Sequence, residues 1–557
     1  MSAVRPSVAA CDDRRSMSVP RLVDDLRAEL GGPVTTHGTH ASWVLVGDRE
    51  ALKVKKPAVM PFLDYGTLER RKAACLLEVE RNRRLAPAIY LGAVAIVPDG
   101  PGVAVRDVDD PGAVEYAVRM RRYAEHDTLA SRLARGEVSS RDVGRIGERI
   151  ARFHADVPAV ATDTGAESVK RWLDDTFASL RGLTHRRRHR VLLTGAERFA
   201  AAFITTRWDE FDRRAASGRV RDGHGDLRAK HVLLTGGDVV VVDCVEFEPQ
   251  LRQIDVATDL AFLVMDLHAF ARADLAMRLV GAYRAAGGDA GDDALVAWLA
   301  AYRALVRARV MLLRAPRQSR EEAGRSRAIA DRLLGVAERL VWQARGPGTF
   351  AVGGLAASGK TTLAKALARR TGLPYLSSDV ARKAGAGIPL GQRADPAVYA
   401  PEVSLRLYAQ LGARAALEPG GAIVDATFGR SRERVAFRDG HGAARPVLHV
   451  ECVAPLALRI ARAHARQRSR AGASDAGPDV VRQQPMDALD DVAPHAHVAV
   501  RGDGPMELAL AAIADALDRM LFIAGSAPVR SSESDRVHEQ GVASFPAGDS
   551  PSWWAGP

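Results

Sequence analysis

The chain contains little of several residue types whose abundance would mark particular classes of protein. Its 557 residues include only four cysteines, which are scattered without metal-ligand spacing, so no disulfide framework is indicated. No apolar run approaches the roughly 20 residues that a membrane-spanning helix needs. Aromatic residues make up 5% of the chain, which leaves few stacking platforms for nucleic acid. These shortages favour a globular protein of the reducing cytoplasm.

Lysine is also scarce, although the chain is basic. Only nine of its 79 lysine and arginine residues are lysines, and the formal net charge is +11. Because the arginines are spread along the whole chain, nucleic acid is disfavoured as a partner, and anionic small substrates such as nucleotides explain the charge equally well. In so arginine-rich a chain, we expect lysine where a compact, flexible ammonium matters. This directs attention to Lys360 and to the lysine cluster at 53–56.

The length of the chain and its glycine- and proline-rich segments predict how it divides into domains. A chain of this length is too long for one core, and the segment Gly346-Pro347-Gly348 places the main boundary near 343–347. We expect a disordered leader at 1–18, a first domain at 19–343, a second domain at 347–525 and a disordered tail rich in Ser, Pro and Gly at 526–557. The leader lacks the apolar segment of a signal peptide.

Residues 354–361 read Gly-Leu-Ala-Ala-Ser-Gly-Lys-Thr and fit the P-loop pattern G-x-x-x-x-G-K-[ST] without exception. An apolar run at 349–352 predicts a strand before the loop, and a helical pattern follows it. Backbone N–H groups in such a loop surround phosphate oxygens, and the helix N-terminus adds its positive dipole end. We therefore expect ATP, with Lys360 on its β- and γ-phosphates and the Thr361 hydroxyl on Mg²⁺. The alternative is a glycine-rich turn without a ligand. The expected nucleotide-binding residues are Gly354, Leu355, Ala356, Ala357, Ser358, Gly359, Lys360, Thr361 and Thr362.

Strand and helix patterns alternate through the rest of the second domain. We expect strands near 349–353, 374–377, 422–425, 447–453 and 497–500, and helices near 360–371, 399–416, 455–468 and 507–521. This alternation predicts an α/β P-loop NTPase fold with a parallel sheet and helices on both faces.

Two further features of this domain are candidates for phosphate and metal chemistry. The strand at 422–425 ends in Asp425, at the position of a carboxylate that supports Mg²⁺ through water; the alternative is a solvated strand end. A helical stretch carries Arg459, Arg462, Arg466 and Arg468, which suits a lid that closes on phosphates. An exposed basic face is the alternative for any one of them, and Arg466 is our first choice.

The segment Leu376-Ser377-Ser378-Asp379-Val-Ala-Arg382-Lys383 follows the second strand of this domain. It resembles the segment of gluconate-kinase-like and zeta-toxin-like proteins that holds the acceptor. The resemblance implies that Asp379 accepts a hydrogen bond from the acceptor hydroxyl or deprotonates it, and that Arg382 binds substrate or phosphate. The alternative for Asp379 is a helix N-cap.

The first domain has a kinase-like layout, with a small β-rich lobe followed by a larger helical lobe. Strands are expected near 42–46, 51–55, 90–97, 103–106 and 114–119, with a helix at 68–85 between the second and third of them. The segment His224-Gly-Asp226-Leu-Arg228-Ala-Lys-His231 then precedes a β-hairpin that turns at Gly236-Gly237 and reaches Asp243. The hairpin would bring Asp226 and Asp243 to its open end, where two carboxylates suit a base and a metal ligand.

This segment resembles the protein-kinase catalytic loop, and it is more similar to aminoglycoside phosphotransferase-like kinases, which carry HGD here. The resemblance implies an N-terminal α+β protein-kinase-like bilobal fold and assigns the site residues. Asp226 would orient or deprotonate an acceptor hydroxyl, Arg228 would face the transferred phosphoryl group, and Asp243 would bind metal. Lys53 would hold phosphates, with Glu78 as its partner. Lys55 and Glu80 remain open as alternatives to these two, and the adenine would lie against the backbone of 118–121.

The resemblance has two departures from the family pattern. His231 stands where the family has a metal-binding Asn, although Mg²⁺ prefers oxygen ligands. No glycine-rich loop of the kinase type precedes Lys53.

Several further segments resemble one group of bacterial two-part proteins, labelled bifunctional aminoglycoside phosphotransferase/ATP-binding protein. In that group a phosphotransferase-like half is fused to a small P-loop kinase, and the resemblance covers about 19–525. In the last of the segments listed next, Asp255 and Asp259 also fit the alternative roles of helix caps and loop anchors. The segments are Thr39-His40-Ala-Ser-Trp43-Val, Pro61-Phe62-Leu63-Asp64-Tyr65, Asn82-Arg-Arg-Leu-Ala-Pro87-Ala-Ile-Tyr90 and Asp255-Val-Ala-Thr-Asp259-Leu-Ala-Phe-Leu.

The sequence as a whole predicts a cytoplasmic ATP-dependent phosphotransferase. Its P-loop domain would move the ATP γ-phosphoryl group to a hydroxyl of a small molecule with Mg²⁺, and activity of the N-terminal half is left open. One alternative is that the N-terminal half is an inactive nucleotide- or ligand-binding regulatory module. Another is a nucleic-acid end kinase.

Overall fold

A computed structural model describes residues 19–38, 41–60, 63–161, 165–443, 445–469 and 475–523. The expected leader at 1–18 and tail at 526–557 lie outside the described residues, as do Thr39, His40, Pro61 and Phe62 of the segments quoted above.

The chain begins with a small lobe built on a six-stranded antiparallel sheet in the order β1-β2-β3-β8-β6-β7. One face of the sheet packs against helix α1 through Leu22 and Leu26, and the other face packs against α2 through Cys75 and Val79. Thr67 starts α2 by accepting a hydrogen bond from the Arg70 backbone. The elements are α1 Val19–Leu30, β1 Thr35–Gly38, β2 Ser42–Val46, β3 Glu50–Lys55, β4 Val59–Met60, β5 Leu63–Asp64, α2 Leu68–Arg83, β6 Tyr90–Asp99, β7 Gly102–Asp107 and β8 Glu115–Arg121.

A larger helical lobe follows, interrupted by two short antiparallel strand pairs, β10-β11 and β9-β12. Helices α9 and α11 are buried along most of their length and pack against each other at its centre. The elements are α3 Leu129–Ala134, α4 Ser140–Asp156, α5 Ala166–Leu183, α6 Arg187–Thr206, α7 Trp208–Ala216, β9 Val220–Asp222, β10 Val232–Thr235, β11 Asp238–Val241, α8 Pro249–Arg252, β12 Gln253–Asp255, α9 Val256–Ala269, α10 Ala273–Ala285, α11 Asp293–Arg314 and α12 Arg320–Ala344.

The C-terminal part is a five-stranded parallel sheet in the order β14-β15-β13-β16-β17, with an apolar core on each face. Its strands all run the same way, so their carboxyl ends share one edge, where ligands of such folds bind. The elements are β13 Thr349–Gly353, α13 Lys360–Thr371, β14 Tyr375–Ser377, α14 Ser378–Gly385, α15 Pro401–Leu417, β15 Ile423–Asp425, α16 Ser431–His441, β16 Val447–Val453, α17 Leu456–Ser469, α18 Pro478–Gln483, β17 His497–Arg501 and α19 Met506–Ile523.

The predicted fold class is confirmed: a bilobal kinase-like part precedes an α/β P-loop part with a parallel sheet. The two parts pack against each other through α19, which lies against α6. Arg345 Nε donates to Asp518 at 2.7 Å, and Arg198 Nη2 donates to Asp515 at 2.9 Å. Trp342, near the end of α12, belongs to the core of the parallel sheet. The helix therefore joins the two parts through packed side chains.

Some elements differ from the expectation. Helix α2 ends at Arg83 rather than at residue 85, since Arg84 caps it and a turn follows. Helix α16 lies outside the helices expected above, because it is short and buries few apolar side chains; its buried side chains are Arg434, Phe437 and His441. Helix α14 starts beside Asp379, where the alternative of a helix N-cap implies a helix.

Candidate active sites

The P-loop joins the carboxyl end of β13 to the first turn of α13. Three of its residues have positive φ: Gly354 at 130°, Ala357 at 61° and Gly359, the N-cap of α13, at 109°. A Cβ on Gly354 would lie 2.4 Å from the carbonyl oxygen of Cys452. Glycine is therefore required at this position both by its backbone angle and by the closeness of β16.

Two side chains brace the loop from outside. Gln484 Oε1 accepts from the Ala356 backbone at 2.6 Å. Arg462, on α17, donates to the carbonyl oxygens of Ser358 and Gly502, both at 3.0 Å. Arg462 thus holds the outer side of the loop through its carbonyl groups.

A cavity of about 310 Å³ opens beside the loop. Some of the residues that line this cavity, on the loop and on α17, were predicted from the sequence as site residues, and others were not. The lining residues that were not predicted lie at and after the end of β17, at the carboxyl edge of the sheet. Ligands of such folds bind at this edge, so these residues are candidate ligand contacts. The predicted lining residues are Ala357, Gly359, Lys360, Thr361, Thr362, Arg462 and Arg466, and those missed include Arg501, Gly502, Gly504 and Met506.

Asp425 lies at the end of β15 beside the first residues of α13. It is 3% exposed, and the Tyr375 hydroxyl donates to its carboxylate at 2.7 Å. Burial raises the pKa of Asp425, while Lys360, Thr361 and Tyr375 oppose that rise. The effect of Thr361 on this pKa shows that the two residues predicted to support a metal ion lie near each other.

The donor set here fits Mg²⁺. Thr361 and Asp425 offer oxygen atoms, and Mg²⁺ takes few protein oxygens because it retains water and phosphate ligands. Within the described residues, no cluster of three or more His, Cys, Asp and Glu side chains is placed to hold a metal by itself.

The predicted acceptor residues lie on α14. Ser377 is the N-cap of this helix, with its hydroxyl accepting from the Val380 backbone at 3.4 Å, so the alternative of Asp379 as N-cap is wrong. Asp379 sits in the first turn, close enough to Asp425 to raise its pKa. The guanidinium of Arg382 donates to the Val398 carbonyl at 2.6 Å and lies 4.8 Å from the ring centre of Tyr399. Arg382 therefore holds the segment that borders Asp379.

Replacing Gly354 with alanine should displace the P-loop, because the new Cβ meets the Cys452 carbonyl and the backbone angle is strained. We expect a cost of about 1–3 kcal/mol in the free energy of unfolding and at least a roughly tenfold weaker affinity for ATP in calorimetry. Gly372→Ala is the matched control, because Gly372 has φ 76° at the other end of α13 with no atom within 4 Å of its Cβ position. Unchanged ATP affinity in Gly354→Ala would contradict this account of the loop.

The second site lies between the two lobes of the N-terminal part. Lys53 Nζ donates to Glu78 Oε1 at 2.7 Å and to Asp243 Oδ1 at 3.2 Å, so the predicted lysine, its helix partner and the predicted metal ligand meet. Lys53 pairs with Val118 on β8, the strand expected to face the adenine. Glu80 is exposed on the same helix and does not take part.

Lys55, which the sequence left open as the alternative to Lys53, binds the same glutamate. It is 1% exposed, it contacts the second oxygen of Glu78, and it donates to Glu246 Oε1 at 2.6 Å. Lys55 and Glu246 therefore join the small lobe to the segment that follows Asp243.

Asp226 and Asp243 lie near each other at the open end of the hairpin, as expected, with His231 between them. His231 Nδ1 lies 2.9 Å from the Asp226 carbonyl oxygen, and because a carbonyl only accepts, Nδ1 carries the proton. His231 Nε2 lies 3.2 Å from Asp243 Oδ2. Burial lowers the pKa of His231 to about 3, so its ring is neutral.

Lys53 therefore donates to one oxygen of Asp243, whereas the other oxygen faces the unprotonated Nε2 of His231. Burial by itself raises the pKa of Asp243, but the positive charges of Lys53 and Lys230 outweigh it and hold that pKa far below its usual range. Asp243 also has φ 64°, a strained angle for a residue with a side chain. With an imidazole in place of an amide oxygen, these residues do not fit Mg²⁺ well.

Asp226 lies where a catalytic base would, and Asp259 fixes its loop. Burial raises the pKa of Asp226, but Arg228, His231 and Arg307 lower it overall. The carboxylate of Asp259 accepts from the backbones of His224 at 2.7 Å and Gly225 at 3.0 Å. Asp255 caps α9 through the Ala257 backbone. These contacts confirm helix caps and loop anchors for the two residues.

The fold and the two sites define a protein that combines a bilobal kinase-like part with a P-loop part. Residues 350–488 match the AAA domain family. The chain belongs to the family of the uncharacterized protein Rv2004c of Mycobacterium tuberculosis (strain ATCC 25618 / H37Rv). The two are 32% identical over 456 residues, which cover 79% of this chain and 87% of that protein.

Two solved structures have lower similarity. A gluconokinase from Sinorhizobium meliloti 1021 is 22% identical with a TM-score of 0.25, over 32% of this chain and 97% of that chain. A choline/ethanolamine kinase family protein from Mesorhizobium loti is 16% identical with a TM-score of 0.35, over 57% of this chain and 99% of that chain. Among the helices that the structure describes, none has the length and apolar character to cross a membrane.

Proposed function

We propose that the C-terminal part is an ATP-dependent phosphotransferase that uses Mg²⁺ and acts on a hydroxyl group of a small molecule. The observation that carries the proposal is the P-loop, whose Lys360 and Thr361 line a cavity of about 310 Å³ and lie close enough to the buried Asp425 to lower its pKa. The match of residues 350–488 to the AAA domain family supports a nucleotide at this loop.

The residues would act by positioning and by charge neutralisation. Lys360 and the cavity arginines Arg466 and Arg501 would bind the phosphates of ATP. Thr361 and Asp425 would hold Mg²⁺, which when bound neutralises charge on phosphate oxygens. Asp379 would orient the acceptor hydroxyl and accept its proton.

We propose domain limits of 19–343 and 347–525. We also propose that the protein is cytoplasmic. The end of α12 at Ala344 and the start of β13 at Thr349 support a boundary between them. The N-terminal domain would be a second phosphotransferase with Asp226 as its base, which would make the chain bifunctional. The contacts of Lys53 with Glu78 and Asp243 support this role.

A specific observation favours a second candidate function for the N-terminal domain. The neutral imidazole of His231 lies 3.2 Å from Asp243 Oδ2, where the kinase family has a metal-binding amide oxygen, and Mg²⁺ prefers oxygen ligands. In this alternative the domain binds a nucleotide or another ligand without chemistry and regulates the P-loop domain.

The proposal is tested by phosphoryl transfer from labelled ATP to a panel of hydroxyl compounds, with the full chain and Mg²⁺. Asp379→Asn should lower transfer to the acceptor by roughly 10²–10⁴-fold, because it removes the base, while ATP binding in calorimetry stays close to that of the unaltered chain. Asp439→Asn, an exposed aspartate on α16, is the control. Full transfer in Asp379→Asn would contradict the role of Asp379.

A chain carrying Lys360→Ala separates the two functions of the N-terminal domain. Residual transfer that Asp226→Asn removes would identify a second active site. Loss of all transfer, with nucleotide still bound by the N-terminal domain, would instead support the regulatory alternative.

A further inference from the structure

A buried lysine on α14 holds the segment that follows this helix. Lys383 is 2% exposed, and its Nζ donates to the carbonyl oxygens of Leu390 at 3.0 Å and Gln392 at 2.7 Å. An ammonium has three donors, and Lys383 Nζ also donates to Asp475 Oδ1 at 2.9 Å. Lys383 thereby gathers residues 386–399, which we call the acceptor segment, although most of that segment is exposed.

Asp475 receives three hydrogen bonds from this region. Its Oδ2 accepts from the Ala394 backbone at 3.1 Å and from the Tyr399 hydroxyl at 2.8 Å, while Oδ1 accepts from Lys383. Burial by itself raises the pKa of Asp475, but these hydrogen bonds outweigh it and hold that pKa below its usual range. A carboxylate fits this place because it only accepts, whereas an amide would turn its own N–H donors toward one of the three.

The acceptor segment borders Asp379, the residue proposed to bind the acceptor hydroxyl. Arg382, three residues further along α14, donates to the Val398 carbonyl and stacks on Tyr399. Burial, Asp475 and Asp379 all raise the pKa of the Tyr399 hydroxyl, so Asp379 lies close to the end of this segment. A shift of the segment would therefore change the surroundings of Asp379.

The residue after Asp475 contacts the nucleotide side of the site. The carbonyl oxygen of Ala476 accepts from Arg466 Nη2 at 3.1 Å, and Arg466 lines the cavity beside the P-loop. Ala476 also packs against a small apolar cluster that includes Ala356 of the P-loop. Asp475 and Ala476 therefore form a bridge between the nucleotide cavity and the acceptor segment.

We propose that Asp475 is a positioning residue that couples the nucleotide cavity to the acceptor segment, so that bound nucleotide fixes this segment beside Asp379. This inference rests on the function proposed for the P-loop domain. A guanidinium has five N–H donors, so Arg466 can bind a phosphate oxygen while it donates to Ala476. A phosphate that fixes Arg466 would also fix the bridge, and ordering one site lowers the cost of ordering the other.

The test follows hydrogen exchange in the full chain by mass spectrometry, with and without the ATP analogue AMP-PNP and Mg²⁺. The reporter is the peptide that contains Ala394, because its backbone N–H is bound to Asp475. We expect saturating analogue to slow this exchange about five- to a hundredfold, the usual range for coupling between two sites. Calorimetry on the same protein gives the affinity for the analogue.

Asp475→Asn should remove the effect of the analogue on exchange at Ala394, while the affinity for the analogue stays close to that of the unaltered chain. Asp475→Glu keeps the charge and should retain part of the effect. Asp479→Asn is the matched control, because Asp479 is an exposed aspartate four residues further along that pairs with Arg482. It should behave like the unaltered chain.

Arg466→Ala separates coupling from a purely structural role of Asp475. This variant leaves the hydrogen bonds of Asp475 in place, so exchange at Ala394 without the analogue should stay close to that of the unaltered chain. Saturating analogue should no longer slow it. The variant also keeps the inference testable if Asp475→Asn fails to fold. Lys360→Ala should likewise remove the effect, which would assign it to the P-loop rather than to the N-terminal domain.

Binding of the analogue without any change in exchange at Ala394 would overturn the inference and leave the proposed function intact. Full protection of Ala394 in Arg466→Ala, or protection that survives Lys360→Ala, would also overturn it. Failure of the analogue to bind at the P-loop would count against the proposed function, and against this inference with it.

Discussion

Replacing Lys360 with alanine should lower ATP turnover by the P-loop domain roughly 10²–10³-fold, the usual cost of removing one donor that stabilises transition-state charge. Lys360 lines the cavity beside the loop, so the variant loses a contact to phosphate rather than a packed side chain. We therefore expect the free energy of unfolding to change by no more than about 0.5 kcal/mol.

The measurement is best made in a chain that also carries Asp226→Asn, which disables the proposed base of the N-terminal domain. Turnover of labelled ATP in that chain is compared with and without Lys360→Ala, and denaturant unfolding reports stability. Arg369→Ala, at an exposed basic residue of the same helix, is the matched control. Equal turnover with and without Lys360 would remove the P-loop from the mechanism.

The parts of the site that follow from sequence are those set by local geometry. The P-loop pattern fixes the contacts of a short stretch of chain, so the strand, the loop and the helix all lie where the motif predicts. Asp425 ends an apolar strand, and parallel strands bring such ends to one edge. Its position near Thr361 therefore follows from the fold class together with the pattern.

The parts that do not follow depend on contacts between distant segments. Arg501 and Gly502 line the cavity because β17 lies at the edge of the sheet beside β16, and strand order is not encoded in any local pattern. The pairing of Lys55 with Glu246 joins residues that are 191 positions apart. The sequence also does not show that Ser377 rather than Asp379 caps α14. Both are good capping residues, and only the exact start of the helix decides between them.

The second large effect concerns Glu78, whose two oxygens bind Lys53 and Lys55. Glu78 is fully buried, and its removal takes one anion from the buried Lys55 and the partly buried Lys53. Breaking a buried ion pair from one side costs about 3–5 kcal/mol. We expect Glu78→Ala to lower the free energy of unfolding by about 3 kcal/mol, the low end of that range. The loss is limited because Lys55 retains Glu246 and Lys53 retains Asp243.

Acid unfolding gives a second measure of the same cluster. Burial by itself raises the pKa of Glu78, but Lys53 and Lys55 outweigh it and lower that pKa below its usual range. A carboxylate with a lowered folded-state pKa stabilises the protein above its unfolded pKa of about 4.3, and that contribution is lost as the pH falls through the folded value. In Glu78→Gln, stability should therefore depend less on pH below about 4.3.

Denaturant unfolding followed across that pH range measures both effects. Glu80→Ala, at an exposed glutamate of the same helix, should behave like the unaltered chain. If Glu78→Ala and Glu80→Ala were equally stable, the two lysines would not depend on Glu78. The small lobe would then be held to the segment after Asp243 by Lys55 and Glu246 alone, and Lys53 would be positioned for phosphates without its helix partner.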